Sequence, residues 1–134
     1  MKKVLLAFLI CSTSFCFSQS LNVIPQPAKA EIKQGTFTIT PSTKIVFSAS
    51  NVEKSAEFFN SYLKKYYGFE LKTTKTNESK NVIELNYDRV DNSIPGGYQM
   101  KVDNNKVYIG GNDEQGVFYG IQTLIQLLPT QKSN

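Results

Sequence analysis

The chain has 134 residues, 40% of them hydrophobic and 19% charged, with five prolines, eight glycines and neither histidine nor tryptophan. That is the profile of one globular unit, not of a disordered, collagen-like or coiled-coil chain. A (β/α)₈ barrel needs on the order of 250 residues, and the missing histidine removes the commonest general base and metal ligand, so any chemistry would fall to carboxylates, hydroxyls or lysines.

Lys2 and Lys3 precede an apolar run from Val4 to Ile10 that continues through Phe17, and polarity returns at Ser18, Gln19 and Ser20. This is the layout of a secretory leader; it predicts a signal peptide over 1–19, a domain over 20–134, and a secreted or periplasmic product. Ser12, Thr13 and Ser14 interrupt the run before the roughly 20 apolar residues of a membrane span. Cys11 and Cys16 leave with the leader, so the mature domain has no thiol for a disulfide, a metal or a nucleophile. Without Lys2 and Lys3 the basic count falls from 15 to 13 against 11 acids. A surplus of two is no polyanion binder, and the Lys64-Lys65 pair lies on the wet side of a helix, so neither nucleic acid nor membrane is expected as a partner.

Pro25 and Pro27 hold the leading segment extended and outside the middle of any sheet. From Ala30 to Phe47, alternating stretches broken by turn residues predict strands at Glu31–Lys33, Phe37–Ile39 and Lys44–Phe47 in a half-buried antiparallel sheet. A first helix is expected from a cap at Ser50 or Asn51, with Glu53 in capping-box position, to a left-handed stop at Gly68. Its apolar arc holds Val52, Ala56, Phe59, Tyr62, Leu63, Tyr66 and Tyr67.

Val82–Tyr87 predicts a strand with Ile83, Leu85 and Tyr87 on one side. Tyr98–Val102 and Lys106–Ile109 flank Asn104-Asn105, and Asn tolerates the positive φ of a two-residue hairpin turn. In that register Val102 faces Val107 and Met100 faces Ile109. A second helix is expected to start at Asn112 and stop at Pro129. Its apolar residues, Val117, Phe118, Ile121, Leu124, Ile125, Leu127 and Leu128 with Gly116 and Gly120, cover about half the circumference, against the roughly 100° needed to rest on one sheet. The excess points to a second surface over this helix, with Gly116, Gly120, Leu124 and Leu127 as interdomain packing residues and the glycines admitting a close backbone approach.

Two clusters invite a chemical reading and receive a structural one. Asp88 and Asp91, beside Pro95 and Gly96, lack the further oxygen ligands of a calcium loop and read as a turn. Phe59, Tyr62, Tyr66 and Tyr67 at helical spacing suit a sugar-stacking platform less well than a core.

The run Gly97-Tyr98-Gln99-Met100-Lys101-Val102, followed by Val107-Tyr108-Ile109-Gly110-Gly111-Asn112-Asp113-Glu114-Gln115-Gly116-Val117-Phe118-Tyr119-Gly120 and on to Pro129, resembles the end of the N-terminal domain of glycoside hydrolase family 20, the β-N-acetylhexosaminidases. Val23-Ile24-Pro25-Gln26-Pro27 looks like that domain's opening. The resemblance runs from about Leu21 to Pro129. It implies an α+β domain, an antiparallel or mixed sheet with two helices packed on one face, preceding a (β/α)₈ catalytic barrel that would begin after Pro129.

In such enzymes the substrate's acetamido oxygen attacks its own anomeric carbon, an Asp orients it, and the adjacent Glu protonates the leaving oxygen. Both carboxylates belong to the barrel, so no catalytic, substrate-binding, cofactor or metal residue can be carried onto this chain, and no cofactor is implied. The implied partner is the parent's catalytic barrel, and carbohydrate would be met only through the parent. Asp113-Glu114, preceded by Gly110 and Gly111, mimics the catalytic pair, but falls in the first turn of a helix, where acids complement the dipole. A free-standing carbohydrate-binding or protein-interaction module, or the same domain from an α-glucuronidase or an enzyme that removes O-linked N-acetylglucosamine, are the alternatives.

Overall fold

The computed structural model describes residues 21–47, 49–76, 78–88 and 94–130; residues 1–19, where a leader is expected, Cys11 and Cys16 within them, and Asp91 lie outside the described residues. The elements in chain order are β1 (Lys44–Phe47), α1 (Glu53–Tyr67), β2 (Lys72–Thr74), β3 (Val82–Tyr87), β4 (Tyr98–Val102), β5 (Lys106–Gly111) and α2 (Glu114–Leu127). The strands form one mixed sheet in the order β2-β1-β3-β5-β4.

β1 runs parallel to both β2 and β3, and β3 parallel to β5; only β4 and β5 are antiparallel. The antiparallel sheet expected at β1 is therefore corrected. A hairpin cannot join parallel neighbours, and α1 supplies the crossover between β1 and β2. The strands expected at Glu31–Lys33 and Phe37–Ile39 are irregular, Phe37 and Ile39 instead lying half-buried against the rim of the core. β2 escaped sequence reading because Lys72-Thr73-Thr74 buries nothing fully and shows no apolar alternation.

The β4–β5 hairpin has the expected register, Met100 opposite Ile109 and Val102 opposite Val107. Its turn closes differently: neither Asn104 nor Asn105 has a positive φ. Asp103 clasps it, its Oδ1 accepting the Asn105 and Lys106 amides at 2.7 and 2.9 Å, an Asx turn that replaces the left-handed pair. Those two amides hold the Asp103 carboxyl below its ordinary pKa.

One face of the sheet is dry. Ile45, Phe47, Ile83, Leu85, Val107 and Ile109 meet Val52, Ala56, Phe59 and Leu63 of α1 and Val117, Ile121 and Leu124 of α2 in a single core. Full burial of such a side chain is worth about 1.5–3 kcal/mol, so both helices are fastened to the same face by this alternation.

α1 is not capped by Ser50 or Asn51. Val52 holds the cap position without a side-chain bond, and its carbonyl accepts the Ser55 and Ala56 amides at 3.0 and 3.2 Å. Val52 is completely buried; the chain turns it inward through Asn51, which adopts φ 70°, so core packing sets the helix entry. The exit follows expectation, with Gly68 at φ 80° and its amide on the Leu63 and Lys64 carbonyls.

α2 is capped one residue later than expected, by Asp113. Asn112 holds the preceding loop instead, its Nδ2 donating to the Ile94 carbonyl at 2.8 Å. The leading segment returns to α2's far end, where Gln126 Oε1 accepts the Ile24 amide at 2.8 Å and its Nε2 donates to the Ile24 carbonyl at 2.9 Å. Val23 is buried beside this clasp.

Candidate functional site

The four residues expected to face a neighbouring domain sit in two different places. Gly116 and Gly120 are buried and meet the chain's own hairpin. A Cβ on Gly116 would stand 2.3 Å from the Gly97 carbonyl oxygen, and one on Gly120 would stand 2.3 Å from Ile109 Cγ2. Leu124 lies in the core at 4% exposure, whereas Leu127 is 38% exposed. For the glycines and Leu124 the close approach is thus within the domain, and only Leu127 has surface to offer.

The wide apolar arc of α2 has the same explanation. Its Gly116, Val117, Gly120, Ile121 and Leu124 side rests on the sheet, and Phe118 meets Phe58 of α1 edge-on at 5.1 Å between ring centroids. Sheet and sister helix together need more of the circumference than a sheet alone.

What remains outside is largely aromatic. Phe58, Tyr66 and Tyr119 are 40%, 48% and 46% exposed. Tyr62 leans on Tyr66 at 4.7 Å and on Tyr67 at 6.3 Å, and the Tyr67 hydroxyl donates to the Pro129 carbonyl. Of the tyrosine cluster read as core, Phe59 alone is fully buried; the tyrosines form the half-wet rim of the helix layer. Lys64 and Lys65 are exposed, as their wheel position requires.

Asp113-Glu114 has no catalytic geometry. The Asp113 carboxylate accepts the Gly116 amide at 2.8 Å and the Gly96 amide at 2.9 Å, capping α2 and tying down the preceding loop. Gly96 and then Gly116 hold its carboxyl below the ordinary carboxylate range. Among the described residues no three His, Cys, Asp or Glu side chains gather as metal ligands, and no helix is long and apolar enough to cross a membrane.

The opposite face of the sheet buries Val46 and Val82 toward β1 and is polar toward β4 and β5. Alternation along β3, β4 and β5 sends Glu84, Gln99, Lys101, Lys106 and Tyr108 away from the helices. Lys106 pairs with Glu84 at 2.7 Å. Asp88, just past β3, accepts both the Tyr108 hydroxyl and the Gln99 amide at 2.9 Å. Burial, then the Asp88 bond, pushes the Tyr108 phenol up to about 12. Sequence reading kept only the inward half of this hairpin; the outward side chains formed no motif, and Asp88 was grouped with Asp91 rather than with Tyr108.

Comparison with known proteins places this geometry. The family described as glycosyl hydrolase family 20, domain 2, matches residues 20–134. A beta-hexosaminidase of Porphyromonas gingivalis is 31% identical over 119 residues, which cover 86% of this chain and 15% of that protein. The GH20 beta-N-acetylhexosaminidase of Streptomyces coelicolor A3(2) superposes with a TM-score of 0.70 at 29% identity, over 80% of this chain and 21% of that one. The N-acetyl-beta-hexosaminidase of Streptomyces plicatus does so with 0.71 at 28%, over the same shares. The chain therefore spans only a seventh to a fifth of these relatives' length, and in fold and sequence it belongs to glycosyl hydrolase family 20 as that family's domain 2.

Proposed function

We propose that this chain is the secreted, N-terminal, non-catalytic domain of a β-N-acetylhexosaminidase that removes terminal N-acetylhexosamine from glycans or chitooligosaccharides, and that it buttresses the catalytic barrel. The observation that carries this is the match of residues 20–134 to domain 2 of the family, together with hexosaminidase relatives of which the chain covers 15–21%. Export rests on the basic and apolar layout of residues 1–19, which would deliver the enzyme to the periplasm or beyond the cell.

The buttressing surface is the outer side of the helix layer. Phe58, Tyr66, Tyr119 and Leu127 are the large exposed hydrophobic side chains of α1 and α2, and Phe58 and Phe118 already touch at its middle. Apolar area of this kind on a helical face gains free energy when a second apolar surface covers it. The barrel is the occupant, since in the relatives this domain is joined to the greater part of a hexosaminidase.

The test has two arms. The 134-residue chain given p-nitrophenyl N-acetyl-β-glucosaminide should release no p-nitrophenol, while the open reading frame extended past Asn134 should encode a barrel that does. In that longer protein Phe58→Asp should lower the thermal midpoint further than it does in the isolated chain, where only the contact with Phe118 is lost. Hydrolysis by the chain alone, or a downstream frame with no barrel, refutes the assignment.

A further inference from the structure

On the sheet face turned away from both helices, Asp88, Gln99, Lys101, Asp103, Lys106 and Tyr108 line an open trough of about 360 Å³, within the range of roughly 300–1,000 Å³ usual for small-ligand sites. Gly110 lies beneath Tyr108 and Asp88: a Cβ there would stand 2.8 Å from the Tyr108 hydroxyl and 3.0 Å from Asp88 Cβ. The missing side chain is what lets Tyr108 lie along the strand and reach Asp88.

The trough is prepared. Tyr108 and Gln99 both donate to Asp88 Oδ2, and Asp103 Oδ1 is committed to the hairpin turn. Lys106 is held by Glu84 and lies 5.8 Å from the Tyr108 ring centroid. Among the described residues, Asp88 Oδ1 accepts no hydrogen bond and the Lys101 ammonium joins no ion pair. With its own carbonyl oxygen, Gln99 completes a set of donors and acceptors alternating over a few residues of two strands.

The lining sets Asp88 and Asp103 against Lys101 and Lys106, with Glu84 behind Lys106, so three acids stand against two bases and no net positive charge is left to hold an anion. A ligand that both donates and accepts at neighbouring atoms, as vicinal hydroxyls do, satisfies carboxylate, amide and ammonium together.

We propose that this trough binds a neutral, hydroxyl-rich sugar residue, giving the domain a weak carbohydrate site separate from its buttressing face. The proposal rests on the glycosidase reading for the presence of glycans, and on the trough alone for the chemistry. Held by shallow, solvent-facing hydrogen bonds, the sugar exchanges rapidly and is bound weakly.

The experiment is an amide NMR titration of the chain with N-acetylglucosamine trimer, with a glucuronate trimer and with calcium chloride. The neutral trimer should shift the amides of Gln99, Lys101, Asp103 and Tyr108 and leave those of α1 and α2 in place. Lys101→Ala and Gln99→Ala, both at solvent-accessible positions, should each weaken the interaction about tenfold, one directed hydrogen bond's worth, with thermal midpoints unchanged. Unmoved hairpin amides overturn the proposal; so do shifts with glucuronate or calcium alone, and binding by either variant as tight as by the parent chain. A missing barrel downstream would sink the proposed function and leave this titration unaffected, so the two failures are told apart.

Discussion

Substituting the two α2 glycines separates a helix shaped to meet its own hairpin from one shaped to meet another domain. In Gly116→Ala the new Cβ would lie 2.3 Å from the Gly97 carbonyl oxygen and 3.1 Å from the Gly111 Cα. All are backbone atoms, fixed by the Asn112 amide on the Gly97 carbonyl at 2.8 Å, so α2 must lift from the hairpin. Overpacking costs about 1–3 kcal/mol, and more where neighbours cannot yield; about 3 kcal/mol is expected. Gly120→Ala meets Ile109 Cγ2 at 2.3 Å and Tyr98 Cδ2 at 3.3 Å. These are side chains able to shift, and the helix interior regains about 1 kcal/mol of propensity from Ala over Gly. The net loss is about 1 kcal/mol. Gly68→Ala is the control: no heavy atom lies within 4 Å of its Cβ, so only the left-handed backbone, at about 1 kcal/mol, opposes it. At about 4–8 °C per kcal/mol for a small domain, Gly116→Ala should melt about 12–24 °C early, the other two only about 4–8 °C. Urea denaturation of the isolated chain followed by far-ultraviolet circular dichroism gives the comparison. A Gly116→Ala chain as stable as the parent sequence, or less destabilised than Gly120→Ala, would refute the intradomain account of this helix face.

Other outcomes follow from single contacts. Because two amides hold the Asp113 carboxyl below its unfolded pKa, its contribution to stability is present above about pH 4 and fades as acid titrates the folded group. Asp113→Asn, which keeps an acceptor, should flatten the acid limb of a stability–pH curve; an unchanged limb would contradict the cap. Tyr108 has the opposite sign: with its phenol at about 12, its contribution is complete below about pH 10 and is lost as pH rises toward 12. Burial also raises Tyr67 and Tyr87, so ultraviolet titration should show several late tyrosines, of which the latest disappears in Tyr108→Phe and moves earlier in Asp88→Asn. Gln126→Ala removes both hydrogen bonds to Ile24 and should speed amide exchange at Ile24 and proteolysis of the leading segment with little change in midpoint. Equal exchange in the two proteins would place the tether elsewhere.

Strong local patterns survived into the structure. Val82–Tyr87 is a strand with the residues foreseen, the hairpin register is as alternation required, and Gly68 and Pro129 end the helices. Each is decided by a few neighbouring residues: a period of two, a turn, a residue that cannot continue a helix. The family, too, was readable from the Gly97–Pro129 run.

What failed depends on residues far apart in the chain. No local signal says that β1 lies parallel between β2 and β3, or that Lys72-Thr73-Thr74 becomes a strand at all; it is one because it pairs along β1. Asn51 lost its cap role because the core claimed Val52. The breadth of α2's apolar arc was legible in the sequence, but its occupants, the hairpin on one side and Phe58 of α1 on the other, were not. The order of residues thus determined which faces are apolar and where elements begin and end, through interactions a few positions long. The tertiary structure alone decided which apolar face meets which, and gathered Asp88, Gln99 and Tyr108 from three places in the chain, because those contacts arise only once the sheet is assembled.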